Sequence, residues 1–117
     1  SVAVGDVNGD GRSDLIMGCS EDTGSDAGNM IVYTRNAANT GFDAAVELAN
    51  PTPVAGDGCG ASVTTGDINA DGRADLIMGC IGDDGGAGDA GNMIVYTRNA
   101  ANTGFDTATE LANPTPV

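Results

Sequence analysis

The sequence predicts an all-β chain made of two four-stranded antiparallel blades of the β-propeller type, incomplete as a single chain. The first observation is a repeat, because GDVNGDGRSDLIMGC (residues 5–19) returns as GDINADGRADLIMGC (residues 66–80). The second is that each unit holds several short apolar segments between Gly-, Asn- and Asp-rich connections, with no helical period. A repeat of about sixty residues built from short strands is typical of propeller blades and not of helical solenoids.

Four strands are predicted in each unit. In the first unit they cover residues 2–5, 14–19, 29–35 and 44–49, and the second unit has their counterparts. The second strand reads Leu-Ile-Met without alternation, so we expect both its faces to be covered, as packing between blades would do. Matching of the two copies divides the chain into a first blade repeat over residues 1–61 and a second over residues 62–117.

Composition excludes several classes of partner. The formal net charge is −13, with four Arg, no Lys and no His, so the chain lacks the basic surface that nucleic acids and anionic membranes require. Its longest apolar run, residues 76–81, is far too short for membrane insertion. Aromatic residues make up 3% of the chain and Gly accounts for 19 residues, so the core is thin. We expect a metal, a disulfide or a neighbouring chain to stabilise it.

Each unit opens with the pattern D-x-N-x-D-G-x-x-D, which predicts a calcium site in the turn before the second strand. Calcium prefers roughly six to eight oxygen ligands, and side chains at positions 1, 3, 5 and 9 with the carbonyl at position 7 can converge on one ion. Glycine at position 6, Gly11 or Gly72, allows the tight turn. We expect two Ca²⁺ ions, one per repeat, with these ligands: Asp6, Asn8, Asp10, the Arg12 carbonyl and Asp14 in the first loop, and Asp67, Asn69, Asp71, the Arg73 carbonyl and Asp75 in the second.

Two alternatives to such a site stay open. An EF-hand or dockerin loop shares the opening of the pattern, but it needs an acid at position 12 followed by a helix. This chain has Met17 or Met78 there, and then a strand. An acidic turn without metal is the second alternative. A further acidic cluster follows the second strand of each unit and is either a weak ion site or a solvated loop: Glu21, Asp22, Asp26, Asp83, Asp84 and Asp89.

The stretch from Cys59 to Gly79 resembles the FG-GAP repeat of integrin alpha-subunit propellers and related surface proteins. That family reads roughly F-G-x-S-V-x-x-G-D-x-N-x-D-G-x-x-D-L-x-V-G, and Cys59 stands where the family has Phe. The match covers the core of both units. The resemblance implies FG-GAP-type propeller blades whose metal loops mainly stiffen each blade.

The three cysteines predict one disulfide. The first and second strands of a blade run antiparallel, so Cys59 at the start of one lies beside Cys80 at the end of the other, and we expect them to pair. Cys19, the equivalent of Cys80, is then expected to pair with a cysteine ahead of Ser1 or in a neighbouring molecule. Such pairing indicates an oxidising environment, extracellular or at the cell surface. Three free thiols are the alternative.

These features favour a calcium-binding extracellular structural or adhesion module. Two blades leave strand edges and blade faces open, so the chain is either part of a longer array or a subunit that closes by assembly. Near-identical units suit a multivalent or polymeric surface. We therefore expect the partners to be other copies of the chain or neighbouring repeats, with an extracellular protein or glycan as a further partner class.

Two other functions are considered. A calcium-stabilised glycan-binding lectin is the main alternative, and the aromatic residues available to it are Tyr33, Phe42, Tyr96 and Phe105. An enzyme such as a polysaccharide lyase is not expected. The chain lacks His and Lys, and the carboxylates that would act as acid and base are those that the metal requires.

Overall fold

The computed structural model describes residues 1–20, 28–49, 58–80 and 92–112. Its strands are β1 Val2–Gly5, β2 Asp14–Cys19, β3 Asn29–Tyr33, β4 Val46–Ala49, β5 Cys59–Gly66, β6 Asp75–Cys80, β7 Asn92–Tyr96 and β8 Thr109–Ala112. They form two four-stranded antiparallel sheets, ordered β1-β2-β3-β4 and β5-β6-β7-β8. Within the described ranges no helix has the length and apolar character that a membrane crossing needs. The predicted all-β class with two four-stranded blades is confirmed.

Each sheet is a meander in which every strand pairs with the next strand along the chain. Leu15 of β2 lies opposite Val4 on one side and Tyr33 on the other, and Leu76 holds the equivalent place in the second sheet. The apolar and β-branched residues of each strand favour this pleated pairing, and the Gly- and Asn-containing turns keep successive strands adjacent. Similar local sequence therefore gives the same register twice.

The third and fourth strands are each two residues shorter than predicted, at the ends that the β3–β4 turn joins. The third ends at Tyr33 and not at residue 35, and the fourth begins at Val46 and not at residue 44. The Arg35 backbone N–H donates to Oδ1 of Asp14 at 2.8 Å and not to the neighbouring strand. Beyond the strands, the Asp43 N–H donates to the Thr34 carbonyl at 2.8 Å, and Arg35 and Phe42 form an isolated bridge. The second sheet repeats these bonds. A buried carboxylate thus ends the regular pairing early.

The fifth strand begins earlier than its counterpart in the first sheet. β5 starts at Cys59, and its pairing with β6 is irregular between Cys59 and Ser62. Gly28 and Cys59 form a parallel bridge, so the start of β5 also contacts the first sheet. The division between residues 61 and 62, drawn from the sequence match, falls inside this strand.

The two sheets pack face to face, and this contact, here called the seam, contains the core. From the first sheet, Ile16, Met30 and Val32 are at most 1% exposed. The second sheet contributes to the seam the face that carries Leu76 and Met78, both 0% exposed. The buried cluster consists of Val7, Ile16, Met30, Val32, Cys59, Leu76, Met78, Cys80, Ile94 and Tyr96. Because aromatic side chains are few, aliphatic burial at the seam supplies most of the hydrophobic stabilisation.

The prediction that both faces of the second strand are covered is wrong for β2. Its side chains alternate between the two faces of the sheet. Ile16 is buried in the seam, whereas Leu15 and Met17 point away from it and are 42% and 39% exposed. The physical reason is that the first sheet has a neighbouring sheet on one side alone among the described residues.

Glycine allows the sheets to approach closely at the seam. A Cβ on Gly18 would lie 2.2 Å from the Gly60 carbonyl oxygen. A Cβ on Gly28, where φ is +85°, would lie 1.8 Å from the Cys59 carbonyl oxygen. Gly79, the equivalent of Gly18 in the second sheet, faces no such backbone, and its nearest neighbour would be a side-chain oxygen at 3.0 Å. Backbone therefore packs against backbone across the seam.

The predicted Cys59–Cys80 disulfide is formed. It joins two residues that are register partners of β5 and β6, and both are buried. Cys19 is half-buried and has no disulfide partner among the described residues.

Gly18→Ala should destabilise the protein more than Gly79→Ala. The first change forces a methyl group against the Gly60 carbonyl, and overpacking of this kind costs about 1–3 kcal/mol. The second meets a serine side chain that can move, so its cost should stay below about 1 kcal/mol. Urea unfolding followed by circular dichroism compares the two variants at a dilution at which the chain is monomeric, so that only contacts within one molecule are measured. Equal losses would contradict the close backbone approach at the seam.

Removing the disulfide should lower the free energy of unfolding. The cysteines are 21 residues apart, and the chain-entropy model gives roughly 3 kcal/mol for a loop of that size. The Cys59→Ser/Cys80→Ser double variant should therefore unfold at lower urea concentration than the parent. Cys19→Ser is the matched control and should leave the midpoint unchanged. A double variant as stable as this control would show that the bond does not constrain the unfolded chain.

Candidate metal centre

The two acidic motifs form the turns that join β1 to β2 and β5 to β6. Gly11 and Gly72 at loop position 6 both have a φ of 84°, a left-handed conformation that glycine adopts without strain. Position 4 is also left-handed, with φ of 74° at Gly9 and 62° at Ala70. The two loops therefore share one backbone shape, and the two position-6 glycines do what the sequence predicts.

Asp6 opens the first loop, and its carboxylate accepts hydrogen bonds from the loop backbone. Oδ1 accepts from the Gly9 N–H at 2.8 Å and the Asp10 N–H at 3.1 Å. Oδ2 accepts from the Gly11 N–H at 2.8 Å. Asp67 accepts the equivalent bonds from positions 5 and 6 of the second loop, at 3.1 and 2.8 Å. The first aspartate thus organises the turn around its own carboxylate.

Asp14, at loop position 9, is fully buried and links three elements. Its Oδ2 accepts from the Val7 N–H at 2.9 Å, and its Oδ1 accepts from the Arg35 N–H at 2.8 Å. Asp75 makes the equivalent pair of bonds at 3.0 and 2.9 Å and is also fully buried. This carboxylate therefore ties the loop and the start of β2 to the chain that leaves β3.

Burial raises the pKa of Asp14 above its usual value, because desolvation disfavours the charged form. The N–H donors of Arg35 and Val7 oppose this rise in the Asp14 pKa, and the charges of Asp10 and Asp6 add to it. The Arg12 N–H lowers the pKa of Asp10, and the Arg12 guanidinium also acts in this direction. The three aspartates of the loop are therefore close enough to repel one another.

Each loop contains one arginine, whose guanidinium pairs with an aspartate of the same loop. Nη2 of Arg12 is 2.9 Å from Oδ2 of Asp10, and Nη2 of Arg73 is 3.1 Å from Oδ2 of Asp71. Such partly exposed pairs contribute little, so a divalent cation would compete with them easily. The role of the two arginine carbonyls as ligands stays a prediction.

All the predicted ligands of a loop lie within one turn, but their side chains are engaged with backbone donors. Across the described residues, no three Asp, Glu, Cys or His side chains are gathered closely enough to hold an ion. The donor set nevertheless fits calcium. A carboxylate offers about four acceptor positions, of which Asp6 uses three and Asp14 two for N–H groups. The remaining oxygen positions, with the side chain of Asn8, are of the hard type that calcium prefers.

The first loop is bonded directly to the second acidic loop and to the β7–β8 turn. The Asp6 carbonyl accepts from the Ala74 N–H at 2.8 Å. The Asn8 carbonyl accepts from Nδ2 of Asn102 at 2.9 Å. A Cβ on Gly9 would lie 3.0 Å from the Arg73 side chain. The first acidic loop therefore lies at the edge of the seam, where its shape affects how the two sheets fit.

The sequence reasoning missed the arginines of the β3–β4 and β7–β8 turns. Arg35 lies over the Phe42 ring with its guanidinium carbon 5.0 Å from the ring centre. Its Nε and Nη2 donate to Oδ1 and to the carbonyl of Asn39 at 2.9 and 2.8 Å. Arg98 repeats this arrangement with Phe105 and Asn102. The repeated letters R-N-A-A-N-T-G-F were the available signal, since a left-handed Asn and a paired Arg and Phe suit an ordered turn.

The other residues singled out in the sequence have different positions. Tyr96 is buried in the seam, and its hydroxyl donates to the Ala49 carbonyl of the first sheet. Tyr33 is exposed on the outer face of the first sheet. The second acidic cluster lies outside the described residues: Glu21, Asp22, Asp26, Asp83, Asp84 and Asp89.

Two comparisons show which known proteins the chain is similar to. A family model described as FG-GAP-like repeat matches residues 6–78, more than half of the chain. Integrin alpha pat-2 of Caenorhabditis elegans is 37% identical over 82 residues, which are 68% of this chain and 6% of that protein. The chain thus corresponds to a small part of its much longer relative. It belongs to the FG-GAP-like repeat family of integrin alpha-type propeller proteins.

Proposed function

We propose that the chain is a calcium-binding structural or adhesion module of an extracellular protein, with one Ca²⁺ in each acidic loop. The observation that supports this most is the attachment of the first loop to a loop and a turn of the second unit through the Asp6 and Asn8 carbonyls. An ion that fixed the shape of this loop would also fix the position of the acceptors for Ala74 and Asn102. Calcium would therefore stiffen the joint between blades as well as the loop itself.

Charge balance supports the same proposal. Each loop contains three aspartates, and in the first loop the charges of Asp10 and Asp6 add to the rise in the Asp14 pKa that burial causes. Two bound dications would reduce the net charge of the chain from −13 to about −9. Self-repulsion destabilises a compact state, so this neutralisation should favour the folded chain.

The disulfide and the family support an extracellular, non-enzymatic role. Disulfides persist in oxidising compartments, and Cys59 and Cys80 form one here. The relative that matches most of this chain is named an integrin alpha, so an adhesion protein is the class that we propose. The aromatic residues give the lectin alternative little support. Tyr96 is buried, Phe42 and Phe105 lie beneath arginines, and the exposed Tyr33 lies among aliphatic side chains on the outer face of the first sheet.

Calcium should bind at two sites and stabilise the fold. At a free concentration of about 100 times Kd, each occupied site adds about 2.7 kcal/mol to the free energy of unfolding. Isothermal titration calorimetry should give two ions for the parent. It should give one ion each for Asp10→Asn and Asp71→Asn, which are matched changes in the two loops. A thermal unfolding curve that is the same in calcium and in chelator would contradict the proposal.

Asp14 should matter for the fold even without calcium. In chelator, Asp14→Asn places an amide donor against the N–H groups of Val7 or Arg35, and an unmade buried hydrogen bond costs about 1–3 kcal/mol. Asp10→Asn, at the exposed position 5, should cost less than about 1 kcal/mol under the same conditions. Urea unfolding in chelator measures both. If the two variants lost equal stability, Asp14 would have no structural role beyond that of a loop carboxylate.

A further inference from the structure

The outer face of the first sheet is apolar and open. This surface, here called the leading face, points away from the seam and carries Val2, Val4, Leu15, Met17 and Tyr33, all exposed. With two neighbouring residues they line a pocket of about 370 Å³. The register places them on one side of β1, β2 and β3, because Leu15 lies opposite Val4 and Tyr33, and Met17 lies opposite Val2. A continuous apolar surface of this kind marks an interaction site.

The outer face of the second sheet is the other open surface around Met93, although Val95 on the same side is 8% exposed. It is here called the trailing face and carries Met93 and Leu111, which are register partners, together with Gly79, which lies opposite Met93. Ile68 in the second acidic loop and Gly66 at the end of β5 belong to the same side, since their equivalents in the first unit face the seam. Ile68, Met93 and Leu111 are all exposed.

Each outer face is a copy of a face that the seam buries. Leu76 and Met78 are 0% exposed in the seam, whereas their leading-face equivalents Leu15 and Met17 are 42% and 39% exposed. Met30 is 0% exposed in the seam, and its trailing-face equivalent Met93 is 46% exposed. The side chains have the same chemistry in both environments. The seam therefore shows which surface fits the leading face, namely a trailing face.

Two strand glycines on the trailing face are not required by any contact within the described part of the chain. Gly5 and Gly18 are required in the seam, where a Cβ would lie 2.6 Å from the Thr65 hydroxyl and 2.2 Å from a carbonyl oxygen. Their equivalents are Gly66, which has no atom within 4 Å of such a Cβ, and Gly79, whose nearest atom belongs to its own sheet. Neither has a positive φ. Glycine in a strand costs backbone entropy. A second sheet packed against Gly66 and Gly79 as closely as the seam packs against Gly5 and Gly18 would explain why glycine stands at these positions.

One polar contact of the seam also has an equivalent donor and acceptor on the two outer faces. Asn102 donates to the Asn8 carbonyl across the seam, with a left-handed φ of 60°. Asn39, its equivalent, has the same backbone with a φ of 58°, and the Asn69 carbonyl is the equivalent acceptor on the trailing side. One contact would be lost, because Thr65 donates to a carbonyl across the seam and Val4 stands at its equivalent position.

We infer that the leading face of one chain binds the trailing face of a second copy and repeats the seam between molecules. This inference rests on the structural role proposed above and names the partner for it. The contact uses two different surfaces, so it is head-to-tail and adds further copies until a ring closes or a fibre forms. Asn39 of the copy that presents the leading face would donate to the Asn69 carbonyl of the other.

One-face variants test both the contact and its polarity. Leu15→Asp blocks the leading face and Met93→Asp blocks the trailing face. In calcium, sedimentation velocity should show assemblies for the parent chain and a monomer for each variant alone. An equimolar mixture of the two variants should form a dimer and nothing larger, since each contributes one intact face. A monomeric parent, or a Met93→Asp chain that still dimerises, would overturn the inference, because the outer faces would then be unused or self-complementary.

Matched controls separate loss of contact from loss of fold. Gly66→Val fills open space on the trailing face, so its thermal unfolding should match that of the monomeric Met93→Asp variant while assembly is lost. Ala100→Asp adds the same charge on the exposed β7–β8 turn and should leave assembly unchanged. All chains carry Cys19→Ser, so that an intermolecular disulfide cannot contribute. Calcium binding is measured for the parent and for the one-face variants, and it separates failure of the contact from failure of the calcium proposal. A parent chain that binds two ions but does not assemble would overturn the contact alone.

Discussion

The close approach of the two sheets at the seam is the constraint on which the rest of the structure depends. At Gly18 and Gly28 the backbone of the first sheet lies against the backbone of the second, with no room for a Cβ. Aliphatic side chains then fill the space on either side of this contact and are excluded from water. A chain with 3% aromatic residues has few large side chains to bury. Dense packing of small groups therefore replaces the bulk that aromatic side chains supply in other cores.

The acidic loops are coupled to this seam and not simply attached to the ends of strands. Asp14 holds the loop to the chain beyond β3, and the Asp6 and Asn8 carbonyls hold it to a loop and a turn of the second unit. The same residues supply the oxygen donors that suit a dication. Structure and proposed ion binding thus share one set of groups, so under the proposal calcium would act on the residues that also order the loop.

Much of the fold follows from local sequence, and the exceptions have physical causes. The strands β1, β2 and β6, the antiparallel order and the Cys59–Cys80 pairing were predictable because turn residues and repeat matching fix them. The start of β5 at Cys59 was not predicted by repeat matching, because its contact with Gly28 needs the tertiary fold. The early end of β3 was not, since Arg35 bonds to a carboxylate from a distant part of the chain. The exposure of individual side chains was even harder to predict from the sequence. Leu15 and Leu76 stand in almost identical sequence, yet one is exposed and the other buried, because burial depends on which side the neighbouring sheet lies.

For the candidate site, the loop positions and the turn glycines were predictable, whereas the buried bonds of Asp14 and the arginine turns were not. A ligand pattern specifies which oxygens are available. It does not show that Asp14 also satisfies two backbone donors, which needs the tertiary fold. Calcium occupancy itself stays a proposal.

The disulfide has a consequence for folding fidelity. The six residues of β2 are identical to those of β6, so β1 and β5 can each pair with either strand. Such swapped pairing is a characteristic misfolding route of tandem repeats. Local turns favour the correct choice on kinetic grounds, because adjacent segments meet first. The covalent bond between Cys59 and Cys80 then makes that choice permanent for the second sheet. Because Cys19 ends β2 as Cys80 ends β6, a swapped pairing would also bring a cysteine beside Cys59. The cross-link therefore fixes the pairing that the local turns have already selected and does not itself choose between the two strands.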